Sequence, residues 1–352
     1  MKVIPQIGRT NDLLAIGELL IDFAPAGLND CGYPIISAYP GGAPANFLVA
    51  AGRLGLKAAF AGAVGNDRFG RLLAKTLSDY DIDIQNLQVT DQAFTTMAMV
   101  TLDETGDREF SFVKKPGADE FFELTPQVKE QIKNSRLLHF GSFSLASATG
   151  SEAVTTALKL ARTAGTWINF DPNYRAPIWS DEDRARQAIL TGLDFADSLK
   201  IGLDELIFIY PGSGPAQADE LNPDHPLVKQ LFADRPLQLA MITLGVEGAL
   251  LIARNGETGD FARGFAPGTP SPKTVDTTGA GDIFGGTAIG IILQLAKKTT
   301  SAFTPGLLTG EELTAIGRQA NLTASLSTER HGGITSVPDP KEVEAAMQAA
   351  GC

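Results

Sequence analysis

The sequence predicts an α/β fold in which a mainly parallel central sheet is covered by helices on both faces, a three-layer α/β/α sandwich, with a small β-sheet standing off it. Two observations carry this. Short apolar runs alternate with helix-like segments along most of the chain, which is the pattern of parallel strands joined by crossover helices. In two places, strand-like runs follow one another with no helix between them. The length of 352 residues, 43% of them hydrophobic and 20% charged, is enough to bury a substantial core.

The elements follow in order. Residues 13–23, Leu-Leu-Ala-Ile-Gly-Glu-Leu-Leu-Ile-Asp-Phe, read as a buried strand running on into a more exposed one. Ala45 to Leu54 carries small and apolar residues at helical spacing, with Gly55 placed to end it. Ala58–Val64 is strand-like and Phe69–Tyr80 helical. Strand-like runs recur at Arg136–Phe140, Thr166–Phe170, Ser198–Ile201 and Leu239–Thr243, with helix-like segments at about 151–164, 181–194 and 226–233 between them. Ile21–Tyr39 and Phe94–Val113 break the rhythm. The second reads as a hairpin turning at Asp103-Glu-Thr-Gly106-Asp, and these two stretches supply the small sheet. Its half-exposed apolar face needs a cover, either substrate or a second subunit. Tyr210–His225 and Thr299–Gly310, rich in Gly, Pro and Ser, read as surface insertions.

Composition excludes several functions. A net charge of −12 with no Lys/Arg run argues against nucleic-acid and membrane-surface binding. Phosphate would have to be held locally, by backbone amides and a metal. Two cysteines, Cys31 and Cys352, form no CxxC pair, so a zinc site or disulfide scaffold is not expected. No apolar run reaches the ~18 residues needed to span a bilayer, and Met1–Asp12 does not read as a secretory leader. A cytoplasmic protein is expected, and the sequon at Asn321-Leu-Thr323 is then without consequence.

The most informative stretch is Asp276-Thr-Thr-Gly279-Ala-Gly281-Asp282, followed by the small and apolar run Ile283–Leu295. A glycine-rich turn opening a helix presents backbone N–H groups and the positive end of the helix dipole, a natural seat for phosphoryl oxygens. Asp282, at the helix start, stands where a carboxylate could accept a hydroxyl proton during phosphoryl transfer. Taken alone, the turn reads equally as an ordinary strand-to-helix connection capped by Asp. It lacks the Gly-Lys-Ser/Thr ending of a P-loop. Phe284 replaces the third glycine of a dinucleotide fingerprint, which disfavours a dehydrogenase.

A second glycine-rich segment, Gly41-Gly-Ala-Pro44-Ala-Asn46, leads into a helix some 230 residues earlier. This segment resembles the first motif of the ribokinase-like (PfkB-type) carbohydrate kinases, and Asp276–Asp282 resembles their second. The resemblance runs from about Leu13 to Pro338. It takes in Gly17-Glu18-Leu-Leu-Ile-Asp22-Phe, Gly62-Ala-Val-Gly65-Asn-Asp67, Asp171-Pro-Asn173-Tyr-Arg175 and Thr243-Leu-Gly245. It implies a ribokinase-like fold forming a single domain over 1–352, with a lid from about 18–40 and 93–115, and an ATP-dependent sugar kinase.

By that resemblance, Asp282 is the catalytic base, and Gly279, Ala280 and Gly281 supply anion-hole amides. Asp22, Gly41, Gly42 and Asn46 bind sugar, and Arg175 clamps phosphate or substrate. Glu205 lies near a magnesium ion and its waters. Lys200, Thr243, Gly245, Gly248 and Asn321 face the nucleotide. Gly202 stands where the family usually has Asn or Ser, so that contact near the ATP phosphates is missing or is made by water or Lys200. Asp276, Thr278, Gly332 and Ser336 fall at the places of a monovalent cation site, so potassium joins ATP and Mg2+ among the expected ligands. His331 reads as structural.

Within the family, Phe112-Val-Lys-Lys-Pro116-Gly-Ala-Asp119, His139-Phe-Gly-Ser142 and Asp171-Pro-Asn-Tyr-Arg175-Ala-Pro-Ile-Trp179 look most like fructokinases. Lys114-Lys115 replaces a usual Arg-Asn, which gives charge at Lys114 without arginine's planar fork. Fructose is the expected substrate. The alternatives are 2-keto-3-deoxygluconate or a riboside, and a non-catalytic relative acting as a binding protein. A homodimer packed through the lids is the expected assembly.

Overall fold

The computed structural model describes residues 2–5, 8–102, 108–113, 116–212, 221–299 and 303–349. Strand β1 (Asn11–Ile16) is buried because both its faces are covered. Leu13 and Ala15 point into one core with Phe47 and Ile289, while Leu14 and Ile16 point into the other with Val154 and Leu158. That period-two division builds the three layers.

From β1 the chain crosses to β2 (Leu20–Leu28) and β3 (Pro34–Gly41), then enters α1 (Ala43–Gly52). The buried strand and the more exposed one read over 13–23 are β1 and β2, which belong to different sheets. The break falls at Gly17, where a Cβ would meet Pro44 Cγ of α1 at 2.7 Å. Next come β4 (Ala58–Gly65), α2 (Arg68–Asp79), β5 (Asp83–Thr90), β6 (Met97–Leu102) and β7 (Arg108–Val113). They are followed by α3 (Pro126–Lys133), β8 (Ser135–Gly141), α4 (Ala148–Ala164), β9 (Trp167–Asp171), α5 (Glu182–Leu193), β10 (Ser198–Gly202), α6 (Leu203–Ile209) and α7 (Pro226–Phe232). The rest is β11 (Leu239–Thr243), β12 (Gly248–Arg254), β13 (Phe261–Pro267), α8 (Ala280–Lys298), α9 (Gly310–Ser327) and α10 (Pro340–Ala349).

The nine-stranded sheet has the order β13-β12-β11-β10-β9-β8-β1-β4-β5. It is parallel except at β12 and β13, which pair antiparallel at one edge. A second sheet of four strands has the order β3-β2-β6-β7. Pairing of Met97 with Val113 through Leu102 with Arg108 agrees with the hairpin reading, although its turn at 103–107 lies outside the described residues. Leu28, Tyr33, Ile35 and Ile36 leave apolar surface exposed toward the far end of this sheet.

Two features were not anticipated. The edge strand β5, Asp-Ile-Gln-Asn-Leu-Gln-Val-Thr, is too polar to read as a strand and is only half-buried. The stretch 299–310 is no surface insertion where described: Thr304, Pro305 and Gly306 are buried, and Thr304 Oγ1 donates to Gln238 Oε1. Its glycine serves close packing, because a Cβ at Gly306 would lie 2.4 Å from the Arg254 carbonyl. Of the other insertion, residues 213–220 lie outside the described residues.

Candidate active site

Open parallel sheets bind ligands beyond the carboxyl ends of their strands, and here a cleft of about 750 Å3 opens there. The turn between β3 and α1 forms one wall. A Cβ on Gly41 would lie 2.2 Å from Asp22 Oδ2, and one on Gly42 (φ 118°) would strike the Glu18 carbonyl at 2.6 Å. Both glycines are therefore required by close approach. Asn46 is not a helix cap. It sits in the first turns of α1, buried, and its Nδ2 donates to Asp282 Oδ2 at 2.9 Å. The two glycine motifs, 236 residues apart at these positions, thus meet in one hydrogen bond.

Asp282 lies in the first turn of α8, only 7% exposed. Gly279 (φ 76°) is the residue before that helix, and a Cβ there would crowd Asn46 Nδ2 and Gly333 Cα at 3.0 Å. The Ala280 amide donates to the Thr277 carbonyl at 3.2 Å. Asn173, held at φ 43°, donates from Nδ2 to Asp282 Oδ1 at 3.3 Å. Burial raises the Asp282 pKa against the pull of Lys200 and the Asn46 hydrogen bond.

A buried charge cluster adjoins it. Lys200 Nζ lies 3.2 Å from Asp171 Oδ2. Burial pushes the Asp171 carboxyl up to about 7; Lys200 opposes the shift, while Glu205 and Asp282 add to it. Burial alone would lower Lys200, but Asp171, Glu205 and Asp282 outweigh it and raise its pKa. A Cβ on Gly281 would stand 2.9 Å from Lys200 Nζ, so Gly281 keeps that ammonium against the helix start. Both Glu205 oxygens accept backbone amides, from Tyr174 at 2.7 Å and Gly202 at 2.8 Å. Arg175 lines the same cleft, its Nη1 donating to the Tyr174 carbonyl.

A cavity of about 370 Å3 continues from the cleft, and Thr243, Gly245 and Gly281 line both. Gly248 and Asn321 line the second, with Asn321 Nδ2 donating to the carbonyls of Ala266 and Pro267. Asp276 accepts the amides of Thr278 at 2.8 Å and Gly332 at 2.9 Å, and Ser336 Oγ donates to the neighbouring Gly333 carbonyl. The candidate site residues line one or both cavities, with three kinds of exception. Gly41 abuts Asp22, Gly332 and Ser336 adjoin the cleft through Asp276 and Gly333, and Lys114 lies outside the described residues. Three were missed as site residues: Asp171, Asn173 and Glu18. Their only sequence signal was the Asp-Pro-Asn and Gly-Glu wording of the motifs, and neighbouring strand ends bring them together.

The sequence profile of the pfkB family carbohydrate kinases matches residues 10–340. The chain belongs to this family. Fructokinase-1 of Zea mays is 36% identical over 94% of this chain and 96% of its own. Among solved structures, a fructokinase with bound ATP from Xylella fastidiosa superposes with a TM-score of 0.78 at 26% identity, covering 97% of this chain and 99% of that one. A fructokinase double mutant from Vibrio cholerae O395, in fructose, ADP and potassium ion bound form, gives a TM-score of 0.75 at 27% identity, covering 98% and 99%. This pfkB-family chain therefore has the ribokinase-like fold, and no helix among its described residues is long and apolar enough to cross a membrane.

Proposed function

We propose that this carbohydrate kinase is an ATP-dependent fructokinase, transferring the γ-phosphate of ATP to a hydroxyl of fructose. The relatives support the substrate. The observation that carries the mechanism is the Asn46–Asp282 hydrogen bond, which joins the sugar-side turn to the phosphate-side turn at one carboxylate. Asp22, Gly41, Gly42 and Asn46 hold the sugar, and Arg175 adds positive charge beside it; Lys114, outside the described residues, is the further candidate for substrate binding. The nucleotide lies along the second cavity, over Thr243, Gly245, Gly248 and Asn321, with its terminal phosphates at Gly279, Gly281 and Lys200. The Ala280 amide, turned to Thr277, contributes less to that anion hole than its neighbours.

Asp282 is the base. Its hydrogen-bond donors and the nearby ammonium keep the carboxylate available despite burial. It takes the hydroxyl proton as the new O–P bond forms and the bond from the γ-phosphorus to the bridging oxygen breaks, releasing ADP. Three buried acids surround the Lys200 ammonium, with Arg175 also acting on Asp282, and a divalent cation would add positive charge there. Among the described residues no group of three acidic or His/Cys side chains forms a ready metal cage. Glu205, with Asp171 beside it, would hold Mg2+ by way of water at the phosphates, where it would supply charge neutralisation. Asp276, Thr278, Gly332 and Ser336 are the candidate potassium site.

The four-stranded sheet, about 18–40 and 93–115, acts as the lid of a single domain spanning 1–352. Closure excludes water as a competing acceptor. Its exposed Leu28, Tyr33, Ile35 and Ile36 are suited to a homodimer contact through the lids. The exposed Cys31, free among the described residues, fits a reducing compartment such as the cytoplasm.

The test is ADP release with Mg-ATP and fructose, ribose, glucose, 2-keto-3-deoxygluconate or ribosides, with and without potassium. Turnover with fructose is expected, and Asp282→Asn should lower it by about a hundredfold or more. Turnover with another sugar alone would replace the substrate, and near-normal activity of Asp282→Asn would remove the base.

A further inference from the structure

Among the described residues, three that line the cleft have a buried polar atom without a hydrogen-bond partner: Asn46 at Oδ1, already placed in the sugar site, and Glu18 and Ser142. Glu18 is 4% exposed and lines the cleft with Asp22, Gly42 and Asn46. Its Oε1 accepts the Ala43 amide at 3.2 Å, but its Oε2 has no hydrogen-bond partner among the described residues. Ser142, fully buried, lines the same cleft, and its Oγ is likewise unpartnered. Each such orphan costs about 1–3 kcal/mol unless something completes it.

Both residues follow the carboxyl ends of adjacent strands and line one cleft. Strands β1 and β8 are adjacent and parallel, with Ile16 paired to Phe140. Glu18 and Ser142 each stand two residues beyond that pair, so they leave neighbouring strands at matching points. Ser142 is fixed there by its amide, which donates to the Pro172 carbonyl at 3.2 Å.

We propose that Glu18 and Ser142 form a further hydroxyl-binding wall of the acceptor pocket, with Glu18 Oε2 and Ser142 Oγ each completed by a hydroxyl of the sugar. A sugar hydroxyl both donates and accepts, so it satisfies an alcohol and a carboxyl alike. Burial, reinforced by Asp119 and Asp282, pushes the Glu18 carboxyl up to about 8, so near neutrality it carries a proton and donates. A neutral donor is also what a crowded acidic cleft tolerates beside Asp22 and Asp282. The wall rewards a polyhydroxy acceptor and penalises one with a missing hydroxyl.

This inference rests on the fructokinase reading and deepens it. The experiment is steady-state kinetics of wild type, Glu18→Gln, Glu18→Leu and Ser142→Ala with fructose and the monodeoxy fructoses, alongside thermal melts. In Glu18→Leu and Ser142→Ala the fructose KM should rise about tenfold while the ATP KM stays level, whereas Glu18→Gln, whose amide still donates from the same position, should keep a near-wild-type KM. One deoxy sugar should show a KM penalty in wild type that vanishes in Glu18→Leu or in Ser142→Ala, since the contact is already gone. Glu18→Gln, relieved of a buried acid, should melt no lower than wild type. Ser142→Ala removes only a hydroxyl and serves as the second variant should Glu18→Leu fail to fold. Unchanged fructose KM in folded Glu18→Leu and Ser142→Ala, or a drop in melting temperature with both KM values moving together, would overturn the wall in favour of a structural role. A wild-type protein that turns over no sugar would overturn the fructokinase reading itself, and the wall with it.

Discussion

A carboxylate that must take a proton from inside a protein needs donors around it, and Asp282 has Asn46 and Asn173 within reach and Lys200 nearby. Asn46→Ala should lower kcat by at least about tenfold, because it removes the shorter of the two hydrogen bonds to Asp282. Asn173→Ala, acting on a contact of 3.3 Å, should cost less. Equal losses from the two would argue against a hydrogen-bond origin. Lys200 is the sharper case, since three acidic groups depend on one ammonium. Lys200→Met should destabilise the fold by about 3–5 kcal/mol in urea unfolding, and adding Asp171→Asn should recover part of it. Full stability of Lys200→Met would show that the cluster is solvated. Asp282 and Asn46 were legible in the sequence because each sits in a motif. Asp171 and Asn173 were not legible as partners of these groups, since their roles depend on β9 lying between β8 and β10.

At the scale of elements, the site is held by the packing of α1 on α8. Glycines on α8 let the helices approach: a Cβ on Gly286 would meet the Phe47 carbonyl at 2.2 Å, and one on Gly290 would meet Leu54 Cδ1 at 2.6 Å. One residue earlier, a Cβ on Gly285 would make only ordinary contact, at 3.5 Å from the Phe47 ring. Gly286→Ala should therefore cost about 1–3 kcal/mol and raise the sugar KM, whereas Gly285→Ala should be tolerated. Denaturant midpoints of the pair decide this, and equal midpoints would refute it. The run Ile283–Leu295 announced a buried helix through its composition. Which of its glycines faces a neighbouring backbone was illegible, because helical spacing gives a face but not the distance to what lies opposite. The strands of the main sheet were legible where both faces are buried. Half-buried β5 and the alternating edge strand β13 were not, since half-exposed edges carry little apolar signal, whereas β12 was passed over despite its buried apolar run.

For the whole molecule, the buried acids set the response to pH. Burial raises Glu18 to about 8 and Asp171 to about 7, and it also raises Asp282 and Asp197. In the unfolded chain these groups ionise near pH 4, whereas the folded chain keeps their protons to higher pH. Their contribution to stability is thus full below the unfolded pKa values and is lost as pH rises through the folded ones. The melting temperature should fall between pH 5 and about pH 9, and the slope should flatten in Glu18→Gln; a rising curve would contradict the assignment. The hydrogen bond between Asn46 and Asp282 has a consequence for how the protein comes to exist. A ribosome has made the whole first motif long before it reaches the second, and α1, apolar on nearly every side, has no α8 to lie against during that interval. Until most of the chain has emerged there is no reaction centre, only an exposed sticky helix. The nascent chain should therefore depend on chaperones, and any prematurely terminated product should be catalytically silent and prone to aggregate.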